Sequence, residues 1–243
     1  MLKHSGFRLK KTYYSVKGIP SFVKNYLEFK QQLKHSDKKF KITSFYPCLD
    51  DRYDYAGTLL GNYFYQDLFV ANRIFINKPE KHVDIRSRVD GFVSYLASFR
   101  NLQVFDIRNV KDEIPNVEFI RADLMSDDFK FENFCDAVSC LHVIEHFGLE
   151  RYNDLIDING HVKGLNNLLK LLKKGGKFYF SVPIGKQTIE FNAHRVFPIG
   201  YILELLNGKY NIGYFSYIDD QNKLHFNIKL TEEKIANNLN CTW

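Results

Sequence analysis

Five short β-rich runs, separated by stretches of helical periodicity, restrict this chain to a parallel sheet covered by helices, because parallel strands need crossovers of about ten residues or more. The runs cover 82–85, 104–107, 117–120, 137–141 and 177–182. Between the first two, Val89, Phe92, Val93, Leu96 and Phe99 mark a helix; between the last two, Val162, Leu165, Leu168, Leu169 and Leu172 mark another. Near the C-terminus, residues 212–218 and 224–230 read as two strands joined by Asp219-Asp220-Gln221-Asn222-Lys223, an antiparallel hairpin on one edge of the sheet. The expected architecture is a doubly wound α/β sheet.

The region before residue 79 has a different character. Residues 20–34 form an amphipathic pattern with Pro20 suited to a first helical turn. Residues 45–61 are polar and irregular and read as a loop. Helical spacing returns at Phe64, Leu68, Phe69, Ala71, Ile74 and Phe75, and Asn77-Lys78-Pro79 stops it. The chain therefore divides into a basic N-terminal segment with a helical cap (1–78), a core (79–232) and a C-terminal tail (233–243).

Charge follows the same division. Residues 1–41 hold eleven Lys/Arg against two acids, whereas the remaining residues hold twenty-three against twenty-six. A basic segment interleaved with Tyr13, Tyr14, Phe22, Tyr26 and Phe29 can track an anionic polymer or surface, or present an ordinary solvated helix face. No apolar run approaches the roughly 18 residues that a membrane span needs, and the mean hydropathy is −0.31. No signal-peptide pattern follows the basic start, so a cytoplasmic chain is expected. Cys48, Cys135, Cys140 and Cys241 lack any zinc-ligand spacing, so no metal is expected, and unpaired thiols fit a reducing compartment.

In open α/β sheets the ligand lies beyond the carboxyl ends of the strands. Those ends are chemically loaded here. The first carries Asp84, then Arg86, Ser87, Asp90 and Gly91; the second carries Asp106, 22 residues later, near the spacing of a ribose-binding acid. The third leads to Asp123-Leu124, and the fourth to Leu141-His142-Val143-Ile144-Glu145-His146. A GxGxxG pattern is absent after the first strand, which disfavours a nicotinamide dehydrogenase.

The segment Leu171-Leu172-Lys173-Lys174-Gly175-Gly176-Lys177-Phe178-Tyr179-Phe180-Ser181-Val182-Pro183, preceded by Phe134-Cys135-Asp136-Ala137-Val138 and His142-Val143-Ile144-Glu145-His146, resembles the class I S-adenosylmethionine-dependent methyltransferases. Over about residues 46–205 the chain is similar to the methyltransferase-like family named domain of unknown function 268. That similarity rests on Gly61-Asn62-Tyr63-Phe64-Tyr65-Gln66-Asp67-Leu68, His82-Val83-Asp84-Ile85-Arg86-Ser87-Arg88-Val89-Asp90-Gly91-Phe92, Val104-Phe105-Asp106-Ile107-Arg108 and Phe191-Asn192-Ala193-His194-Arg195-Val196-Phe197. The resemblance implies a Rossmann-like, mostly parallel sheet of seven strands and S-adenosylmethionine as cofactor, with S-adenosylhomocysteine as product. It implies that Asp84, Ser87 and Gly91 hold the methionine part, Asp106 the ribose hydroxyls with Ile107 beside the adenine, and Asp123 with Leu124 the adenine edge. Leu141 and His142 would line the methyl-transfer pocket.

One position departs from the pattern: Arg86 stands where the resemblance implies glycine, either to pair with a cofactor carboxylate or to fill the pocket. For the acceptor side, His146 and His194 are the candidate bases, since imidazole titrates near neutrality. Arg195 could fork an anionic group, and Tyr63, Gln66 and Asp67 could line the pocket from the N-terminal helix. The expected function is methyl transfer to a small molecule, a sugar-like hydroxyl first. The competitors are an RNA methyltransferase using the basic N-terminus, and a degenerate domain that binds a protein partner.

Overall fold

The computed structural model describes residues 9–35, 41–54, 62–108, 113–152 and 154–241. Contacts divide the chain into two units, Met1–Leu59 and Leu60–Trp243. In the first, α1 (Leu9–Lys34) begins eleven residues before Pro20, which lies inside the helix and not in its first turn as expected. One face of α1 is covered by the segment that follows it. Tyr14 stacks on Tyr53 at 5.0 Å and Tyr26 meets Phe45 at 5.1 Å. A side chain at Gly18 would collide with the Leu49 carbonyl, so glycine permits this close approach.

In the second unit, α2 (Asn62–Asn77) precedes a five-stranded, fully parallel sheet of β1 (His82–Ile85), β2 (Leu102–Asp106), β3 (Val117–Arg121), β4 (Cys135–Leu141) and β5 (Leu172–Ser181). Its strand order is β3-β2-β1-β4-β5. The order reverses between β1 and β4, which is the switch point where such sheets open a crevice. All five expected strands are present, because strands buried on both faces read as near-continuous apolar runs.

Period-two alternation distributes the core. Val83, Ile85, Phe105, Val138 and Cys140 pack on one face with Leu168 and Leu171 of α4 (Gly160–Leu171). Leu102, Val104 and Leu141 face the other way, against Ala71 and Ile74 of α2 and Phe92, Val93 and Leu96. The helix expected over 89–99 is shorter, a wide π turn at Val89–Val93 running into α3 (Ser94–Ala97). Gly91 breaks the helical backbone there with φ −132° and ψ −109°.

The sheet holds five strands among the described residues, not seven. Among the described residues β6 (Thr188–Glu190) pairs only with β7 (His194–Val196), which places His194 and Arg195 in a hairpin strand. α5 (Ile199–Leu206) follows. The expected C-terminal hairpin forms over β8 (Tyr217–Ile218) and β9 (Leu224–His225), but it is a separate two-stranded ribbon and not an edge of the sheet. α6 (Glu232–Ala236) lies near the end of the chain. Gly175 and Gly176 sit inside β5, where register jumps from Cys135↔Leu172 to Ala137↔Lys177 and Gly175 takes φ +80°. No helix among the described residues is long and apolar enough to cross a membrane.

Candidate functional site

The strand ends gather two groups of polar side chains. The first is a hydrogen-bonded chain under β1. Asp84 pairs in register with Ser139 of β4, so the two side chains share a face, and His82 shares it two residues earlier. Ser139 Oγ donates to Asp84 Oδ1 at 2.6 Å and lies 2.9 Å from His82 Nε2. A hydroxyl has one proton, so His82 donates from Nε2 and its Nδ1 stays buried with no partner among the described residues. The chain continues into the following loop, where Ser87 Oγ and the Ser87 amide donate to the two Asp84 oxygens, both at 2.9 Å. Burial pushes the Asp84 carboxyl up to about 6, opposed by the hydrogen bonds from Ser139 and Ser87. It holds His82 down to about 3, hence neutral.

The second group lies at the end of β2. Asp106 accepts from Arg108 at both oxygens, Nε to Oδ1 at 3.0 Å and Nη2 to Oδ2 at 2.6 Å, and also from the Arg108 amide at 2.9 Å. Arg86 Nε stands 3.9 Å from Asp106 Oδ1. Both guanidinium groups lie over the Tyr152 ring, Arg86 at 3.9 Å and Arg108 at 4.7 Å. The cavity that remains is lined by Arg86, Phe105, Asp106, Ile107, Ala122, Asp123, Leu124, Met125, Phe147 and Asp154, and measures ≈ 10 Å³, room for about one water molecule. Arg86, Asp106, Ile107, Asp123 and Leu124 thus line one cavity. Asp123 Oδ1 is bonded to the Met125 amide at 2.8 Å, and Gly91 lies against Asp67, whose carboxyl burial pushes up.

Beyond β4 and β5, His142 adopts φ +54°, and its amide donates to the Ser181 carbonyl at 3.1 Å. Its Nδ1 lies 3.1 Å from Glu145 Oε1, and its ring stands 5.3 Å from Tyr63. Ser181 Oγ donates to Gln66 Oε1 at 2.5 Å, tying α2 to the end of β5. Leu141 is buried against the α2 side of the sheet. His146 Nδ1 donates to the Ala193 carbonyl at 2.7 Å, which leaves its Nε2 as the lone-pair nitrogen, 3.8 Å from Glu145 Oε1. Burial lowers the His146 pKa, and the His194 ring lies 6.4 Å away.

Arg195 is placed differently from a substrate fork. Its guanidinium is buried, with Nη1 donating to the Phe147 and Glu145 carbonyls at 2.5 and 3.5 Å, and Nη2 to those of Ile158 and Asp157 at 3.2 and 3.5 Å. The β6–β7 hairpin is thereby locked to the loop after β4. Sequence reasoning missed Ser139, Tyr152 and Asp154. Only Ser139 left a signal, a hydroxyl inside an otherwise apolar buried strand.

An adenosine moiety needs room for a purine and a carboxylate with free acceptor oxygens for two ribose hydroxyls. Neither requirement is met in this arrangement, since Arg108 takes both Asp106 oxygens and the cavity that Arg86 helps to line has room for about one water molecule. The residues to which the resemblance assigned a nucleoside line this cavity and are turned on one another.

Residues 76–242 match the model of a family described as "Caenorhabditis protein of unknown function, DUF268". No curated protein matches. Among solved structures, the chain is similar to the [4+2]-cyclase SpnF (13% identity, TM-score 0.43, 56% of this chain and 54% of that one). It is also similar to the 1,6-didemethyltoxoflavin-N1-methyltransferase of Burkholderia thailandensis (12%, TM-score 0.46, 66% and 75%) and to an O-methyltransferase family protein of the same organism (11%, TM-score 0.42, 63% and 54%). The chain spans about half the length of the first and third of these.

Proposed function

From the premise that this chain belongs to the family "Caenorhabditis protein of unknown function, DUF268", we propose that it is an S-adenosylmethionine-dependent methyltransferase acting on a small molecule, with a sugar-like hydroxyl as acceptor. The observation that carries this reading is the pair of carboxylates, Asp84 and Asp106, at the carboxyl ends of adjacent strands beside the switch point of a β3-β2-β1-β4-β5 parallel sheet. Asp106 would take the ribose hydroxyls once released by Arg108, and Asp123 with Leu124 the base.

On the acceptor side, the chain's own contribution is a proton sink. His146 donates its Nδ1 proton to Ala193, so a lone pair remains at Nε2, as a general base requires. Glu145, buried beside His142, positions the His142 imidazole through its Nδ1, while the Ala193 carbonyl orients His146. Tyr63 and Gln66 of α2 border the same place and serve as its lid, while Arg195 acts by fixing the loop that carries Glu145.

Calorimetric titration with S-adenosylhomocysteine tests the reading. Binding in the micromolar range that disappears in Asp106→Ala is the expected result; Asp106→Ala binding as tightly as the native chain would remove Asp106 from the cofactor site. A second reading is favoured by the closed crevice, namely a domain that no longer holds the cofactor and serves as a binding module. It predicts no heat with S-adenosylhomocysteine under any condition.

A further inference from the structure

Arg86 combines three features that an ordinary loop arginine does not share. Its backbone takes φ +59°, in the left-handed region that favours glycine, while its amide still donates to the Phe105 carbonyl at 3.1 Å. Its side chain is 6% exposed, on a residue type that is almost never buried without a full set of partners. One terminal nitrogen, Nη2, has no hydrogen-bond partner among the described residues, although it is buried. A guanidinium held this way is stabilised mainly by its stacking on Tyr152 at 3.9 Å and by the Asp106 carboxylate at 3.9 Å.

Tyr152 completes the arrangement, because Arg108 covers the same ring at 4.7 Å while it occupies both oxygens of Asp106. Arg86, Tyr152 and Arg108 therefore form a clasp over Asp106. We propose that this clasp is a built-in plug: it fills the nucleoside half of the crevice, and S-adenosylmethionine enters only when Arg86 leaves Tyr152 and Arg108 releases Asp106. The inference rests on the methyltransferase reading above and adds to it a control element peculiar to this chain. The stranded Nη2 disfavours the closed state, so the plug is held by contacts that a ligand can replace. A ribose would take over the Asp106 oxygens, and an adenine ring would take the place of the stacked guanidinium.

The test is calorimetric titration of the full chain with S-adenosylhomocysteine, comparing the native protein with Arg86→Gly, Tyr152→Ala and the double variant. Arg86→Gly suits the left-handed backbone, and Tyr152→Ala leaves the β1 loop untouched should the first variant fail to fold. Circular dichroism confirms that each variant is folded. The expected result is affinity at least tenfold higher in Arg86→Gly, with Tyr152→Ala shifted in the same direction. Equal affinity in native and variant chains overturns the plug while leaving the methyltransferase reading standing. Weaker binding in Arg86→Gly also overturns it, since Arg86 would then be a cofactor ligand. Folded variants that bind nothing, the double variant included, overturn both the plug and the reading it rests on.

Discussion

Asp84 and Asp106 occupy equivalent places, one residue from the end of β1 and at the end of β2, yet their surroundings differ in kind. Asp84 is fully buried and receives hydroxyl and amide donors, all neutral. Nothing offsets the desolvation of its charge except these dipoles, so its proton affinity rises to about 6. Asp106 faces two guanidinium groups, one buried and one half-exposed. A strand-end carboxylate is thus structural or ligand-seeking according to what opposes it. Neutral donors have few substitutes inside a protein, whereas guanidinium groups can be displaced by a ligand or met by water.

Removing each carboxylate separates the two cases. Asp84→Ala strands three donors, the Ser139 hydroxyl in the buried interior and the Ser87 hydroxyl and amide in the part-buried loop, and is expected to lose about 3 kcal/mol of stability in urea unfolding. No single second change restores it. Asp106→Ala is expected to lose about 3 kcal/mol, chiefly because the buried Arg86 charge loses its counter-ion. Adding Arg86→Gly should then recover about 2 kcal/mol. A double variant no more stable than Asp106→Ala would show that Arg86 does not depend on that carboxylate.

A smaller effect, read as a slope, sharpens the account of the buried chain. His82 is held down to about 3 from 6.5 and Asp84 up to about 6 from 3.8. Between pH 3.8 and 6 the unfolded chain releases a proton that Asp84 keeps when folded, so this term lowers stability as pH rises. Over the same interval the unfolded chain binds a proton that folded His82 refuses, so the second term raises stability as pH rises. Each slope is about 1.4 kcal/mol per pH unit, and the two cancel. Asp84→Asn removes one of them. Its stability should climb with pH from about 4 to 6 relative to the native chain, by that slope. Parallel profiles would mean that the two groups do not titrate independently of one another.

The sheet was legible because its evidence is local. Val83, Ile85, Val104, Phe105, Val138 and Cys140 lie in short β-rich runs, and an acid at a strand end is visible in the letters alone. What those acids face was not legible. That Ser139 lies opposite Asp84 depends on the β1–β4 register across 55 residues, and that Tyr152 lies under Arg86 depends on an irregular loop. The anomaly at Arg86 was visible as a missing glycine, but the side chain could equally pair with a ligand or fill the crevice until its neighbours were placed. Arg195 reads like an anion fork in sequence, and only the β6–β7 hairpin turns its nitrogens to four backbone carbonyls. The two strands missing from the expected seven pair elsewhere, since periodicity identifies a strand but not its partner.

The mildest perturbation probes the outer member of the clasp. The side chain of Arg108 is 49% exposed although its pair with Asp106 is bidentate, and the carboxylate raises its pKa through direct hydrogen bonds. Water and salt reach such a group, so the pair contributes little beyond about 1 kcal/mol. Arg108→Ala is therefore expected to change stability by less than about 1 kcal/mol, and the difference should shrink further between low and high salt, measured by urea unfolding at both ionic strengths. The same substitution frees both Asp106 oxygens from a side-chain donor while leaving the Arg108 amide and Arg86 in place. A large, salt-insensitive loss would show that Arg108 is as structural as Ser139. The two carboxylates would then differ only in degree, and Asp106 would no longer be the displaceable end of the crevice.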